Sequence, residues 1–163
     1  MSDFVKFSTY LPVVDVDATQ KKLNLMIDKL IIDADVDICM SAINEAARNL
    51  PDWYEGYDLH ALQDASQCIE FPVVGDEKRL WIRCQTSTHL DELGIVLKSL
   101  LALEPEDCVY WKVPYAMVST ELEPDHFDGG LLIVTRKDHR VTTTSDLFDL
   151  ARGVTIDPYI ETL

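Results

Sequence analysis

Two stretches of the sequence, residues 67–103 and residues 109–152, show the same order of local patterns: two strand-like segments followed by a helical one. Strands are indicated by short runs of β-branched and aromatic residues between turn residues, and helices by apolar positions that repeat every three or four residues. Two successive ββα units predict an antiparallel sheet of four to five strands with helices on one face, which is an α+β fold. The two stretches share no visible sequence similarity, so the repetition is one of elements only.

This pattern predicts a single domain that spans residues 1–163, a length typical of one domain. Residues 65–153 would form its ββαββα core. Residues 1–64 would form an N-terminal, mainly helical portion packed as a layer on the sheet, and residues 154–163 a tail.

The N-terminal portion contains two helical patterns and one strand-like segment. Asp17 is the expected cap of the first helix, and a second helix is expected from about Val36 to Leu50. Residues 4–14 are rich in strand-forming residues, and Pro12 indicates an edge strand or the end of a strand.

Residues 67–85 predict a β-hairpin whose register follows from its side-chain pattern. A turn centred on residues 76 and 77 collects the apolar residues on one face and pairs Glu70 with Arg83 on the other. The expected apolar pairs are Ile69 with Cys84, Phe71 with Ile82, and Val73 with Leu80.

The second unit begins with a strand at residues 109–119, which Pro114 restricts to an edge or a bulge. The strand expected at 131–136 begins with consecutive apolar residues, which predict burial on both faces and a central position in the sheet. Between the two units, a helix is expected from about Leu90 to Leu103, with Gly94 allowing a close approach to the sheet.

The charge balance constrains the partners. The chain has 29 acidic and 14 basic residues, for a formal net charge of −15, and the densest basic cluster (Arg136, Lys137 and Arg140) is interpreted as surface. Such a charge opposes direct binding to nucleic acid and to anionic membranes. Two interpretations remain open: the acidic residues serve solubility, or they attract the basic surface of a protein partner.

The sequence predicts a cytoplasmic protein without a cofactor. No apolar run has the length of a membrane helix, and no secretory signal precedes the first strand. The four cysteines have no CxxC spacing, which favours reduced thiols over a zinc site or disulfides.

The loop between the two strands of the second unit is the best candidate site. Its carboxylates and imidazole could bind a metal, supply an acid–base pair or contact a partner, although a polar loop is also what solvation alone requires. The residues concerned are Glu121, Glu123, Asp125, His126 and Asp128. Trp53 and Trp111 are expected to add exposed aromatic contact area.

These observations favour a non-catalytic interaction protein that binds a basic protein surface, for example a DNA mimic or an immunity or inhibitor protein from a mobile element. Two alternatives stay open. One is an enzyme or metal-binding protein that uses residues 121–128, although no standard catalytic motif is present. The other is a subunit of a larger assembly, and the oligomeric state is left open.

Overall fold

The structure is a computed structural model of the 163-residue chain. The residues it describes are 4–34, 44–50, 53–54, 56–72, 77–84, 89–118 and 128–143.

Three α-helices, one short 3-10 helix and six strands form the described part of the chain. The helices are α1 (Val16–Asp33), α2 (Leu59–Ser66) and α3 (Leu90–Leu101), and the 3-10 helix is Glu45–Asn49. The strands are β1 (Phe4–Pro12), β2 (Ile69–Glu70), β3 (Arg79–Cys84), β4 (Tyr110–Val118), β5 (Asp128–Thr135) and β6 (His139–Thr143).

The strands form one antiparallel sheet in the order β2-β3-β1-β4-β5-β6. The predicted α+β class is therefore confirmed, but the sheet has six strands where four to five were expected. The ββα layout is not confirmed. In the second unit a third strand, β6, follows β5, and the helix expected up to Arg152 lies outside the described residues.

The strand that completes the sheet is β1, from the portion of the chain expected to be mainly helical. It pairs with β3 along its whole second half, from Phe7 opposite Cys84 to Pro12 opposite Arg79. Its first residues pair with the end of β4. An edge position for β1 is thus wrong, whereas Pro12 does mark the end of the strand.

The hairpin of β2 and β3 has a register two residues away from the prediction. Ile69 lies opposite Ile82 and not opposite Cys84. Because side chains alternate with a period of two, a shift of two leaves the same residues on each face. Glu70 and Arg83 still form an ion pair, with 2.7 Å between Oε1 and Nε.

Pro114 lies in an internal strand, so the predicted edge position is wrong, while the alternative of a bulge stays a prediction. β4 is paired with β1 on one side and β5 on the other. The ladder between β1 and β4 includes Ala116, Met117 and Val118 but stops before Pro114. The missing N–H of the proline therefore falls where this ladder has already ended.

Two helix boundaries differ from the prediction. α1 begins after Asp15, whose carboxylate accepts a hydrogen bond of 3.0 Å from the Ala18 N–H, and not after Asp17. The second predicted helix does not run unbroken to Leu50. Asn44 has an extended backbone and caps the 3-10 helix, while residues 35–43 lie outside the described part.

One hydrophobic core joins the helices to a single face of the sheet. α1 contributes Leu23, Met26 and Leu30, as its apolar periodicity predicts. On β5, Leu132, Ile133 and Val134 are all buried, which confirms the expected burial on both faces. The middle of the sheet, however, is formed by β1 and β4.

α3 approaches the sheet closely at Gly94, as the sequence predicts. A Cβ atom at this position would lie 2.4 Å from Cδ2 and 2.6 Å from Cγ of His139 on β6. The His139 side chain is 8% exposed, so its ring fills the space that the glycine leaves.

We expect Gly94→Ala to destabilise the fold. Overpacking against the His139 ring costs about 1–3 kcal/mol, against a gain of about 1 kcal/mol in helix propensity. Urea unfolding of the single variants and of Gly94→Ala/His139→Ala measures the coupling. The free energy of unfolding lost through Gly94→Ala should be smaller in the His139→Ala background, where the ring is absent. An equal loss in both backgrounds would contradict the steric explanation.

Candidate functional site

The loop predicted as the site falls largely outside the described residues. This applies to Glu121, Glu123, Asp125 and His126. Asp128 is the first residue of β5 and lies opposite Met117 of β4. A binding or catalytic role for this loop stays a prediction.

The two tryptophans have different environments. Trp111 is 2% exposed, because its position on β4 faces the helices, and the expectation of an exposed indole there is wrong. Trp53 is half-buried against the core, with its ring edge-on to Tyr54 at 5.3 Å between centroids. A partner contact by Trp53 stays a prediction.

The face of the sheet away from the core is exposed over β3, β1 and β4. Alternation along these strands sends every second side chain to this side. We call it the open face, and its residues are Lys6, Ser8, Tyr10, Pro12, Arg79, Trp81, Arg83, Tyr110, Lys112 and Pro114. Towards β5 and β6 the same side is covered, since Ile133 and Thr142 are buried.

Arginines and aromatic rings interleave across the open face. Tyr10 and Trp81 lie opposite each other, with ring centroids 6.0 Å apart. The Cζ atom of Arg79 lies 3.9 Å from the Tyr10 centroid, and that of Arg83 lies 4.2 Å from the Trp81 centroid. The Trp81 indole N–H donates to Ser8 Oγ at 2.8 Å. These contacts hold large side chains in fixed positions on an exposed surface.

A groove of about 420 Å³ continues the open face at the end of β1. Its walls are Pro12 at the end of β1 and the two residues that follow it, Lys78 before β3, and residues 104, 105, 107 and 108 after α3. We call the groove together with the adjoining ends of β1 and β4 the sheet corner.

The exposed large hydrophobic residues of the described chain lie in or directly beside the segments of sequence that line the groove. Each of them lines the groove or lies within two residues of a groove-lining residue. They are Tyr10, Val14, Leu103, Val109 and Tyr110. Scattered exposed apolar residues are ordinary, whereas a concentration at one place marks an interaction surface.

Glu104 joins two walls of the groove. Its carboxylate is buried and accepts hydrogen bonds of 3.1 and 3.3 Å from the Val14 N–H. Burial raises the pKa of Glu104 above its usual range, although the Val14 N–H and the charge of Arg136 act in the opposite direction.

Arg136 fixes the chain that follows α3. Its guanidinium donates to the carbonyls of Leu101 at 3.4 Å, Glu104 at 2.7 Å and Cys108 at 3.5 Å, and also to that of Pro105. Interpreting this arginine as a surface charge is therefore wrong. It satisfies carbonyls at and beyond the C-terminal end of α3 and sets the shape of one groove wall.

The surroundings of the thiol in the groove favour its protonated form. Burial raises the pKa of Cys108, and the charge of Glu104 adds to this effect. A protonated thiol is a poor nucleophile and a poor metal ligand. Cys68, Cys84 and Cys108 are not joined in disulfides, as the sequence predicts.

A second polar cluster surrounds His139. Its Nε2 lies 3.5 Å from Asp91 Oδ1, and Nδ1 is buried without a hydrogen-bond partner among the described residues. The Tyr57 ring is 6.5 Å away between centroids. Burial raises the pKa of Tyr57, helped by the charges of Asp91, Glu92 and Asp138. Since His139 is packed against Gly94, this cluster belongs to the contact between α3 and the sheet.

The residues described contain no group of three or more histidine, cysteine or carboxylate side chains placed to hold a metal ion. No helix within the described ranges is long and apolar enough to cross a membrane. No protein-family model, curated protein or solved structure matches this chain.

The sequence does contain a signal for the open face. The run RLWIRC alternates so that Arg79, Trp81 and Arg83 share one side, and YWKVP does the same for Tyr110 and Lys112. Their assembly into one surface depends on β1 lying between these strands, whereas the sequence left open whether Pro12 indicates an edge strand or the end of a strand.

We expect Glu104→Gln to change how stability depends on pH. A carboxyl whose pKa is raised by folding favours the folded state most below its ordinary pKa of about 4.3, and loses that contribution as pH rises through the raised value. Glutamine does not titrate and still offers an oxygen to the Val14 N–H. Urea unfolding at several pH values should show the variant gaining stability relative to the wild type between about pH 4 and 7. A stability difference between the variant and the wild type that does not change with pH would contradict a raised pKa for Glu104.

We expect Arg136→Ala to lower the free energy of unfolding by about 2 kcal/mol, because several carbonyls lose a charged donor. Lys137→Ala is the matched control, since its side chain is exposed and forms no ion pair among the described residues. Thermal or urea unfolding compares the two variants. If both variants lose the same small amount of unfolding free energy, the guanidinium contacts contribute little to the stability of the fold.

Proposed function

We propose that this protein is a non-catalytic interaction protein that docks another protein on the sheet corner. The observation that carries the proposal is that the exposed large hydrophobic residues lie on or directly beside the segments that line the groove, and that Tyr10 among them belongs to the arginine–aromatic stack of the open face. Tyrosine, tryptophan and arginine are the residues that most often dominate binding energy at protein interfaces. A cytoplasmic setting, expected from the sequence, is part of the proposal.

The state of the surface before binding also supports this function. Glu104 and Arg136 hold the groove walls through hydrogen bonds, and cation–π contacts hold the rings. Side chains that are already ordered lose less entropy on association, which raises affinity for a given contact area.

A basic protein partner, as inferred from the net charge, is the second candidate. Of the 14 basic residues 13 lie in the described ranges, but only 16 of the 29 acidic residues do. The remaining segments therefore carry 13 acidic residues and one basic residue, Arg152. A DNA mimic or an immunity-type inhibitor would use these segments to bind its target.

The enzyme alternative rests on residues 121–128 alone. Replacing Asp125, His126 and Asp128 with alanine would abolish activity or metal uptake if this loop were catalytic. Metal analysis of the purified protein that finds nothing bound would count against the metal-dependent version.

We expect a photo-crosslinking residue at Tyr110 to form a discrete adduct with a partner protein in the cells that produce this chain. The same residue at Lys21, which is exposed on α1, serves as the control position. The adduct at residue 110 should disappear with Val14→Asp, because Val14 is 56% exposed and a carboxylate there disrupts the apolar surface without entering the core.

The urea midpoint of Val14→Asp is measured beside that of the wild type, because the new carboxylate lies close to that of Glu104. A lost adduct reports binding when the variant is fully folded under the crosslinking conditions. Equal labelling at residues 110 and 21, or no adduct at residue 110, would contradict the sheet corner as the docking surface. A basic partner that still binds the Val14→Asp variant, and does so only at low salt, would support the second candidate.

A further inference from the structure

We infer that the partner docks through an acidic segment, whose carboxylates face Lys6, Arg83 and Lys112 while an apolar side chain enters the groove. This inference rests on the proposed function and names the chemistry of the partner that the open face and the adjoining sheet corner accept. The net charge of the chain predicts a basic partner, whereas this inference predicts an acidic one.

The sheet has a charge balance opposite to that of the chain. The whole chain has about two acidic residues for each basic one. Among strand residues whose side chains are described, the only acidic residue is Glu70, and the basic ones are Lys6, Arg79, Arg83, Lys112 and Arg140. All lie on the side of the sheet away from the core, because the other side is packed beneath the helices.

Two of these five basic residues, the lysines, are not neutralised within the described structure, and a third, Arg83, is only partly engaged. Lys6 and Lys112 are exposed and form no ion pair with any described residue. Arg83 uses Nε for Glu70, and its two terminal amino groups have no hydrogen-bond partner among the described residues. Arg79 is engaged by Glu77 through Nε and Nη2. Lysine ammonium groups and the fork of Arg83 can thus form charge-assisted hydrogen bonds to carboxylates.

The surface favours an acidic protein segment over a nucleic acid. The rings of Tyr10 and Trp81 each have an arginine over one face, where a base would have to stack. Val14 and Val109 extend the surface with apolar area that suits protein side chains and not phosphates. A nucleic-acid strand long enough to cross the face would also meet the field of a chain with net charge −15.

A second copy of the chain fits the open face poorly. A two-fold dimer would bring the same patch of each copy together. Lys6, Arg83 and Lys112 would then oppose their own counterparts, and like charges in contact are unfavourable.

The test uses fluorescence anisotropy with three labelled probes on the full chain. They are a peptide of alternating glutamate and leucine, a serine–glycine peptide of the same length, and a single-stranded oligothymidylate. We expect the wild type to bind the glutamate–leucine peptide, with affinity falling as salt rises, and to bind the other two more weakly.

A matched pair of double variants locates the binding. Lys6→Glu/Lys112→Glu should weaken peptide binding about tenfold, since two attractive contacts become repulsive. Lys21→Glu/Arg48→Glu makes the same charge change on exposed residues outside the sheet, and should stay within about twofold of the wild type.

Three results would overturn the inference. They are absence of binding to the acidic peptide, equal weakening by the two double variants, and tighter binding of the oligothymidylate, which would assign the face to nucleic acid. If residue 110 crosslinks a partner while the acidic peptide fails to bind, the inference of an acidic partner segment is wrong, but the proposed docking surface is retained. If residue 110 yields no adduct, the proposed function itself fails.

Discussion

The pairing of β1 on both of its sides is the interaction on which the rest of this structure depends. One neighbour, β3, is about 70 residues later in the sequence, and the other, β4, is more than 100 residues later. Without β1, the described strands would form two separate groups, β2-β3 and β4-β5-β6. Contacts of such sequence separation require the closure of long loops, so this central pairing is costly in entropy and limits how fast the sheet can form.

The same strand creates the two faces that the function needs. Val5, Phe7 and Leu11 are buried on the side of the helices, and Lys6 and Tyr10 point the other way. Burial of the three apolar side chains holds the strand in place. The side chains of Lys6 and Tyr10 are thereby fixed next to side chains of β3 and β4. The core therefore orders the open face without any part of that face being buried. The groove extends this arrangement, because Glu104 connects the chain after α3 to the end of β1.

Sequence patterns predict the structural features that depend on local periodicity. They fail for features that are determined by pairing between strands distant in the sequence. The apolar stripe of α1, the burial of β5 and the small residue at Gly94 are all local features, and the structure agrees with them. The hairpin faces are correct although the register is not, since alternation survives a shift of two residues. For each proline the sequence offered an edge position as one of two alternatives, and the edge is wrong in both cases because a proline does not indicate which strands will lie beside it. The other alternative for Pro12, the end of a strand, is confirmed.

The candidate surface escaped prediction for a related reason. A net charge is a sum over the chain, whereas recognition depends on which side chains a fold brings together. At about 8 Å, the Debye length at physiological salt is shorter than the width of a six-stranded sheet, so the basic open face acts on a bound partner largely by itself. The excess of acidic residues lies mainly in segments outside the described fold. A protein that repels long polyanions at a distance can therefore attract a short acidic segment of a partner once the two are in contact. A basic partner would bind the acidic segments instead, which are a different part of the same chain.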